Sequence, residues 1–86
     1  MVKAEVKVTN ESGLHARPAS LFEELAQSFE SEITLEKDGQ TFDAKSIVDI
    51  LLAGVKQGHT ITLSAEGSDE KECIDSLVSL IAGFKE

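Results

Sequence analysis

Residues 2–8, Val2-Lys3-Ala4-Glu5-Val6-Lys7-Val8, carry an apolar side chain at every even number and a charged one at every odd number. A period of two marks a β-strand with one face buried and the other in water. The alternation returns where Ile33 and Leu35 stand between Glu32, Thr34 and Glu36. It returns again at Ile61, Leu63 and Ala65, between Gly58 and Gly67. Asp38-Gly39 is a strong hairpin signal, so the stretch from Gln40 to Ala44 reads as a short return strand. A sheet of such strands needs cover on one face only.

The cover lies in the segments between the strands. Ala19, Phe22, Leu25, Ala26 and Phe29 recur at helical spacing and predict an amphipathic helix over about 16–29. Ser46 opens a short helix, with Asp49 as a weaker version of the usual capping-box Glu. Gly54 ends it. Ile74, Leu77, Val78, Ile81 and Phe84 mark a last helix, with Asp69 and Glu72 as a box-like start. The order β-α-β-β-α-β-α predicts an α+β fold: two layers, with a four-stranded, mostly antiparallel sheet and three helices on one face.

Composition bounds the rest. With 86 residues, the chain 1–86 reads as a single domain with a modest core. It has four Phe and neither Trp nor Tyr, so that core is aliphatic. A net charge of −8 disfavours nucleic acid, which selects a basic face, and anionic membranes equally. One cysteine, Cys73, excludes an internal disulfide and a thiolate metal cluster, and no metal site or cofactor is expected. No apolar run approaches the roughly 20 residues of a membrane span, and residues 1–5 have no signal-peptide character. The expectation is a cytoplasmic protein that needs no more than a monomer.

Gly13-Leu14-His15-Ala16-Arg17-Pro18-Ala19 carries the chemistry. Pro18, the only proline, suits a first helical turn. His15 and Arg17 therefore fall at a helix N-terminus, where amides carry partial positive charge. Leu14 and His15 supply no capping oxygen, so the N–H groups of Ala16 and Arg17 are candidates to receive an anion. From Ser12 to Phe22 the only formal charge is Arg17. An imidazole, with an ordinary pKa of about 6.5, is a nucleophile near neutral pH. Attack on phosphorus would give a phosphohistidine, with Arg17 and the helix end stabilising its charge. A histidine before a helix is also commonly a plain surface or capping residue.

The same seven residues resemble the active-site signature of HPr, the histidine-containing phosphocarrier of the bacterial phosphoenolpyruvate:sugar phosphotransferase system. Length and element order agree over nearly the whole chain. Lys45-Ser46-Ile47 resembles the regulatory serine motif of HPr proteins from Gram-positive bacteria. The resemblance implies an open-faced β-sandwich. It implies that His15 accepts phosphate on Nδ1 from phosphorylated enzyme I and passes it to the IIA domains of sugar permeases, with Arg17 and the Ala16 N–H stabilising it. Ser46 would be the target of HPr kinase/phosphorylase, and the seryl-phosphorylated form a co-repressor of a catabolite-control transcription factor. The protein would carry phosphate stoichiometrically, without being an enzyme in the usual sense.

A relative specialised for catabolite repression lacks the active histidine, which this chain has. Its run Ser46-Ile47-Val48-Asp49-Ile50-Leu51 departs from the common Ser-Ile-Met-Gly-Val-Met. Ile47, Val48 and Leu51 keep the apolar character of a partner-docking patch, or they are simply core. Ser46 is a helix N-cap on either reading. Cys73 reads as a packing or surface residue and His59 as a turn residue. The alternatives are a regulatory module read through Ser46, or a paralogous phosphocarrier in catabolite or nitrogen control.

Overall fold

In a computed structural model, which describes residues 1–85, the elements follow the predicted order. They are β1 (Val2–Lys7), α1 (Ala16–Gln27), β2 (Glu32–Lys37), β3 (Gln40–Asp43), α2 (Ile47–Ala53), β4 (Thr60–Glu66) and α3 (Glu70–Gly83). The strands form one sheet in the order β1-β4-β2-β3, and every pairing is antiparallel among the described residues. Both β1 and β2 therefore run against β4, and each must reach its place through a helical crossover or a hairpin.

The register explains why the alternation decides the fold. Val2, Ala4 and Val6 of β1 lie opposite Ala65, Leu63 and Ile61 of β4. Ile33 and Leu35 of β2 lie opposite Ala65 and Leu63 on the other side, and Phe42 of β3 lies opposite Leu35. Every apolar pair falls on one face. The opposite face carries Lys3, Glu5, Thr34, Glu36, Thr62 and Ser64 and is left open to water. A slip of one residue in any pair would turn an apolar row into solvent.

The helices close the apolar face. α3 lies against β1 and β4 through Ile74, Leu77 and Ile81, and α1 packs between α3 and α2 through Ala19, Phe22 and Ala26. α2 sits beside β3 with Ile50 and Ala53 inward. Cys73 is fully buried in this layer, and burial pushes its thiol up to about 11. It is a packing residue, inert as a nucleophile. α1 stops at Gln27, short of the predicted 29, because Ser28 already closes the last turn on Leu25 and Ala26. Phe29 packs half-buried on the core from the following loop.

The two box-like helix starts behave differently from expectation. At α2 the Ser46 hydroxyl accepts from the Asp49 N–H at 3.3 Å. The return bond is absent among the described residues: Asp49 instead accepts from the Asp43 N–H at 3.0 Å, and Ser46 N–H donates to the Asp43 carbonyl. At α3 no side-chain cap forms at Asp69. Its carboxylate reaches the β2 approach instead, accepting from the Glu30 N–H at 2.9 Å, the Ser31 N–H at 3.0 Å and the Ser31 hydroxyl. This ties the α1–β2 loop to the start of α3. Gly67 permits the approach, since a Cβ there would lie 2.6 Å from Ser31 Cα. Glu70 takes a second local task, accepting from the Gly67 N–H and pairing with the N-terminal ammonium at 3.0 Å.

The Ser31 hydroxyl above all, with the two backbone amides, holds the Asp69 carboxyl below its ordinary value of 3.8. A depressed carboxylate stabilises the fold above its unfolded pKa, and that contribution disappears as pH falls through the folded pKa. Asp69→Asn is therefore expected to lower the urea midpoint at pH 7 and to leave it nearer the parent's at a pH low enough to protonate the folded parent's carboxyl. Parallel urea titrations at the two pH values check this.

Candidate functional site at the mouth of the first helix

Two loops meet at the N-terminus of α1. The first, residues 8–15, leaves β1; the second, residues 54–59, leaves α2. Val8 N–H donates to the His59 carbonyl at 2.8 Å, Gly58 N–H to the Val8 carbonyl at 2.7 Å, and Leu14 N–H to the Val55 carbonyl at 3.0 Å. Gln57 Nε2 donates to the Thr9 carbonyl at 3.0 Å. The first loop is folded on itself as well: Asn10 Nδ2 donates to the Gly13 carbonyl at 2.9 Å and Gly13 N–H to the Asn10 carbonyl at 3.1 Å.

Gly13 is the tightest point. It has φ +61, and a Cβ there would lie 2.3 Å from the Val55 carbonyl oxygen and 2.8 Å from Lys56 Cα. Both neighbours are backbone, so neither can swing aside. Leu14, 1 % exposed, then anchors the loop in the core. With Leu14 pointing in, His15 emerges exposed beside it.

His15 is the N-cap of α1 with extended backbone (φ −140, ψ 158), and its side chain makes no capping hydrogen bond. The first turn of α1 holds no acid. Ala16 and Arg17 are both exposed, while Pro18 and Ala19 are buried and fix the helix onto the core. Ala16 has φ +54, the left-handed region, in a residue with a Cβ. That conformation costs roughly 1–2 kcal/mol and marks a backbone held by its surroundings. Nothing in the sequence signals it, since alanine is not a left-handed residue by preference.

Beside His15 lies a cavity of about 260 Å³ lined by Ser12, Leu14, His15, Leu51, Gly54, Val55 and Lys56. Ser12 and His15, close in sequence, both line it, whereas Arg17, two residues beyond His15, does not. The structure adds Leu51 from α2 and Lys56 from the second loop. Lys56 went unrecognised because it lies 41 positions from His15. Its backbone is fixed by a small ring: Lys56 N–H donates to His59 Nδ1 at 3.0 Å, and His59 N–H returns to the Lys56 carbonyl at 3.1 Å. His59 is thus a turn residue, as its neighbour Gly58 suggests, and its imidazole is the brace. The acceptor bond requires Nδ1 to be unprotonated.

α2 leads from this cavity to Ser46. Ile47, Val48 and Leu51 are exposed, to 37 %, 62 % and 42 %, whereas Ile50 is buried. Leu52 is exposed as well, to 71 %, and belongs to the same apolar surface. At the far end Gly54 (φ +63) closes the helix, and Lys37 Nζ donates to the Ala53 and Gly54 carbonyls at 3.0 and 3.2 Å. A cation there satisfies orphan carbonyls and complements the helix dipole. Among the described residues no cluster of His, Cys, Asp or Glu could hold a metal ion.

Comparison with known proteins agrees with this geometry. The family model described as "PTS HPr component phosphorylation site" matches residues 2–83. The HPr-like protein Crh of Halalkalibacterium halodurans is 46 % identical over 81 residues, covering 94 % of this chain and 96 % of the relative. Phosphocarrier protein HPr of Vibrio cholerae is 38 % identical over 81 residues, covering 94 % and 95 %. The crystal structure of HPr-C-His from Thermoanaerobacter tengcongensis superposes with a TM-score of 0.94 at 49 % identity, covering 95 % of this chain and 92 % of that one.

Two substitutions test the loop geometry in opposite directions. Gly13→Ala is expected to destabilise the protein by about 2 kcal/mol or more, since overpacking meets backbone and the φ is unfavourable. Ala16→Gly is expected to stabilise it by up to about 1 kcal/mol by relieving the left-handed alanine. Urea denaturation of the three proteins reads both.

Proposed function

The chain belongs to the HPr family of the phosphotransferase system, and from that premise we propose that it is a phosphocarrier acting through His15. The observation that carries the reading is the position of His15: exposed at the mouth of α1, with no acid in the first turn and Arg17 two residues on. In the proposed step the His15 Nδ1 lone pair attacks phosphorus on phosphorylated enzyme I. The bond from phosphorus to the enzyme I donor breaks with its electron pair on that donor, and Nε2 keeps its proton or releases it to solvent. For onward transfer a IIA acceptor attacks phosphorus on phosphorylated His15, and the P–N bond breaks with its electron pair returning to Nδ1. Arg17 and the Ala16 N–H stabilise charge on the phosphoryl oxygens. The chain acts stoichiometrically, needs no cofactor, and carries the whole site in one copy, so it works as a monomer. No helix of the described residues is long and apolar enough to cross a membrane, and the reading places the protein in the cytoplasm, where both phosphoryl partners act.

Ser46 is the proposed regulatory site. Its hydroxyl already caps α2, so a phosphate there would meet the positive end of the helix without unfolding it. The exposed Ile47, Val48 and Leu51 would form the docking patch for enzyme I, IIA domains, HPr kinase/phosphorylase and a catabolite-control transcription factor. A dianion at its edge opposes an acidic or phosphorylated partner. A second reading, a regulatory module of the Crh kind, is favoured by the 46 % identity to a protein of that name. The presence of His15 favours the carrier.

With phosphoenolpyruvate, Mg²⁺ and enzyme I, the protein is expected to gain one acid-labile phosphoryl group that His15→Ala cannot accept. Arg17→Ala should slow transfer about tenfold or more, the scale of one charge-assisted hydrogen bond. A parent protein that gains no adduct would sink the carrier reading. With ATP and the serine kinase, an acid-stable phosphate lost in Ser46→Ala is expected, and Ser46→Asp should accept phosphate from enzyme I more slowly than the parent. Equal rates would overturn the repulsion account.

A further inference from the structure

We infer that Lys56 is a second cation of the phosphoryl site, held beside His15 by the His59 brace, where it contacts the phosphoryl oxygens once His15 is phosphorylated. The inference rests on His15 as the acceptor and adds a residue to it.

Three observations converge. Lys56 and His15 line the same cavity, and no acidic residue lines it with them. The Lys56 backbone is placed by contact, because Gly13 packs against its Cα and leaves no room for a Cβ between them. His15 stands two residues beyond Gly13 on a loop pinned to Val55. The third concerns commitment of the ammonium. Lys37 and Lys45 donate to backbone carbonyls and Lys71 pairs with Asp75. Lys56, like Lys3 and Lys7, is exposed with no ion-pair partner among the described residues, and of these three it alone lines the His15 cavity. It is a point charge on a flexible four-carbon stem with three donors, suited to follow an oxygen that arrives and leaves.

The positioning matters because the rest of the chain repels an anion. With a net charge of −8, local cations must outweigh the general field. Lys56 comes from the loop after α2, a different element from the one that carries His15, and lines the cavity beside it. His59 acts only through Lys56: its Nδ1 accepts the Lys56 N–H and closes the turn that aims the side chain.

The test uses full-length protein phosphorylated chemically with phosphoramidate. The His15 nitrogen attacks phosphorus, the P–N bond of the reagent breaks, and ammonia leaves with the electron pair and a proton. The adduct is assigned to His15 by its loss in His15→Ala and followed by ³¹P NMR through the titration of the phosphoryl oxygens. A nearby cation favours the dianion, so Lys56→Gln should raise the midpoint by roughly half a pH unit, the scale of an exposed charge pair. Lys56→Arg should keep the parent midpoint. Lys3→Gln, on the open face of the sheet, should not move it. The Lys56→Gln difference should shrink in 1 M salt.

If Lys56→Gln titrates like Lys3→Gln, or if Lys56→Arg behaves like Lys56→Gln, the proposal is overturned. Enzyme I with phosphoenolpyruvate is run on the same proteins. A parent that accepts phosphate from phosphoramidate at His15 but not from enzyme I refutes the carrier reading, while the ³¹P comparison still decides the role of Lys56.

Discussion

The contact on which the site depends is between two stretches of backbone. Gly13 lies against Val55 and Lys56 with no space for a Cβ, and the next amide, Leu14, donates to the Val55 carbonyl. That contact joins the end of β1 to the end of α2 and leaves the chain one way to continue. Leu14 turns into the core, His15 turns out, and α1 starts at once with Pro18 and Ala19 buried. Ala16, left-handed at φ +54, stands where the chain passes from this loop into α1.

The same contact brings α2 into the site. Leu51 lines the His15 cavity near one end of α2, and Ser46 caps the other. Seven helical residues span about 10 Å, close to the Debye length of about 8 Å at physiological salt. On the proposed reading, a phosphate on Ser46 would bear most directly on a partner lying along the exposed Ile47, Val48, Leu51 and Leu52. On that reading, coupling between Ser46 and His15 would run through the proposed docking surface more than through the imidazole.

The sheet was legible in the sequence because its signal is local and repeated. Val2 to Val8, Ile33 to Leu35 and Ile61 to Ala65 each encode a buried face, and antiparallel register aligns them without further information. The helix at His15 was legible for a similar reason: proline, cation and apolar spacing stand within a few residues. Features made by tertiary contact were not. Asp69 has the composition of an N-cap, yet its carboxylate is taken by the Glu30 and Ser31 amides, 38 and 39 positions away. Asp49 completes only half a capping box because Asp43 competes for it. Lys56 carries no local signal at all, and only the loop pairing of Val55 with Leu14 brings it beside His15.

On the proposed carrier reading, the site would also have to be reversible. A carrier must hold a phosphoryl group without trapping it, since the next protein has to remove it. Burying Arg17 and Lys56 around His15 would strengthen each contact in a low dielectric but exact a large desolvation penalty and close the path to the acceptor. Exposed pairs are individually weak, about 0–1 kcal/mol. In the proposed carrier, Arg17, Lys56 and the helix end would favour the adduct through such weak contacts and leave it open to the next protein. The buried parts of the site, Leu14, Pro18 and Val55, supply the rigidity that the exposed parts lack. The core fixes the geometry of the loop, and His15 and Lys56 remain exposed on it.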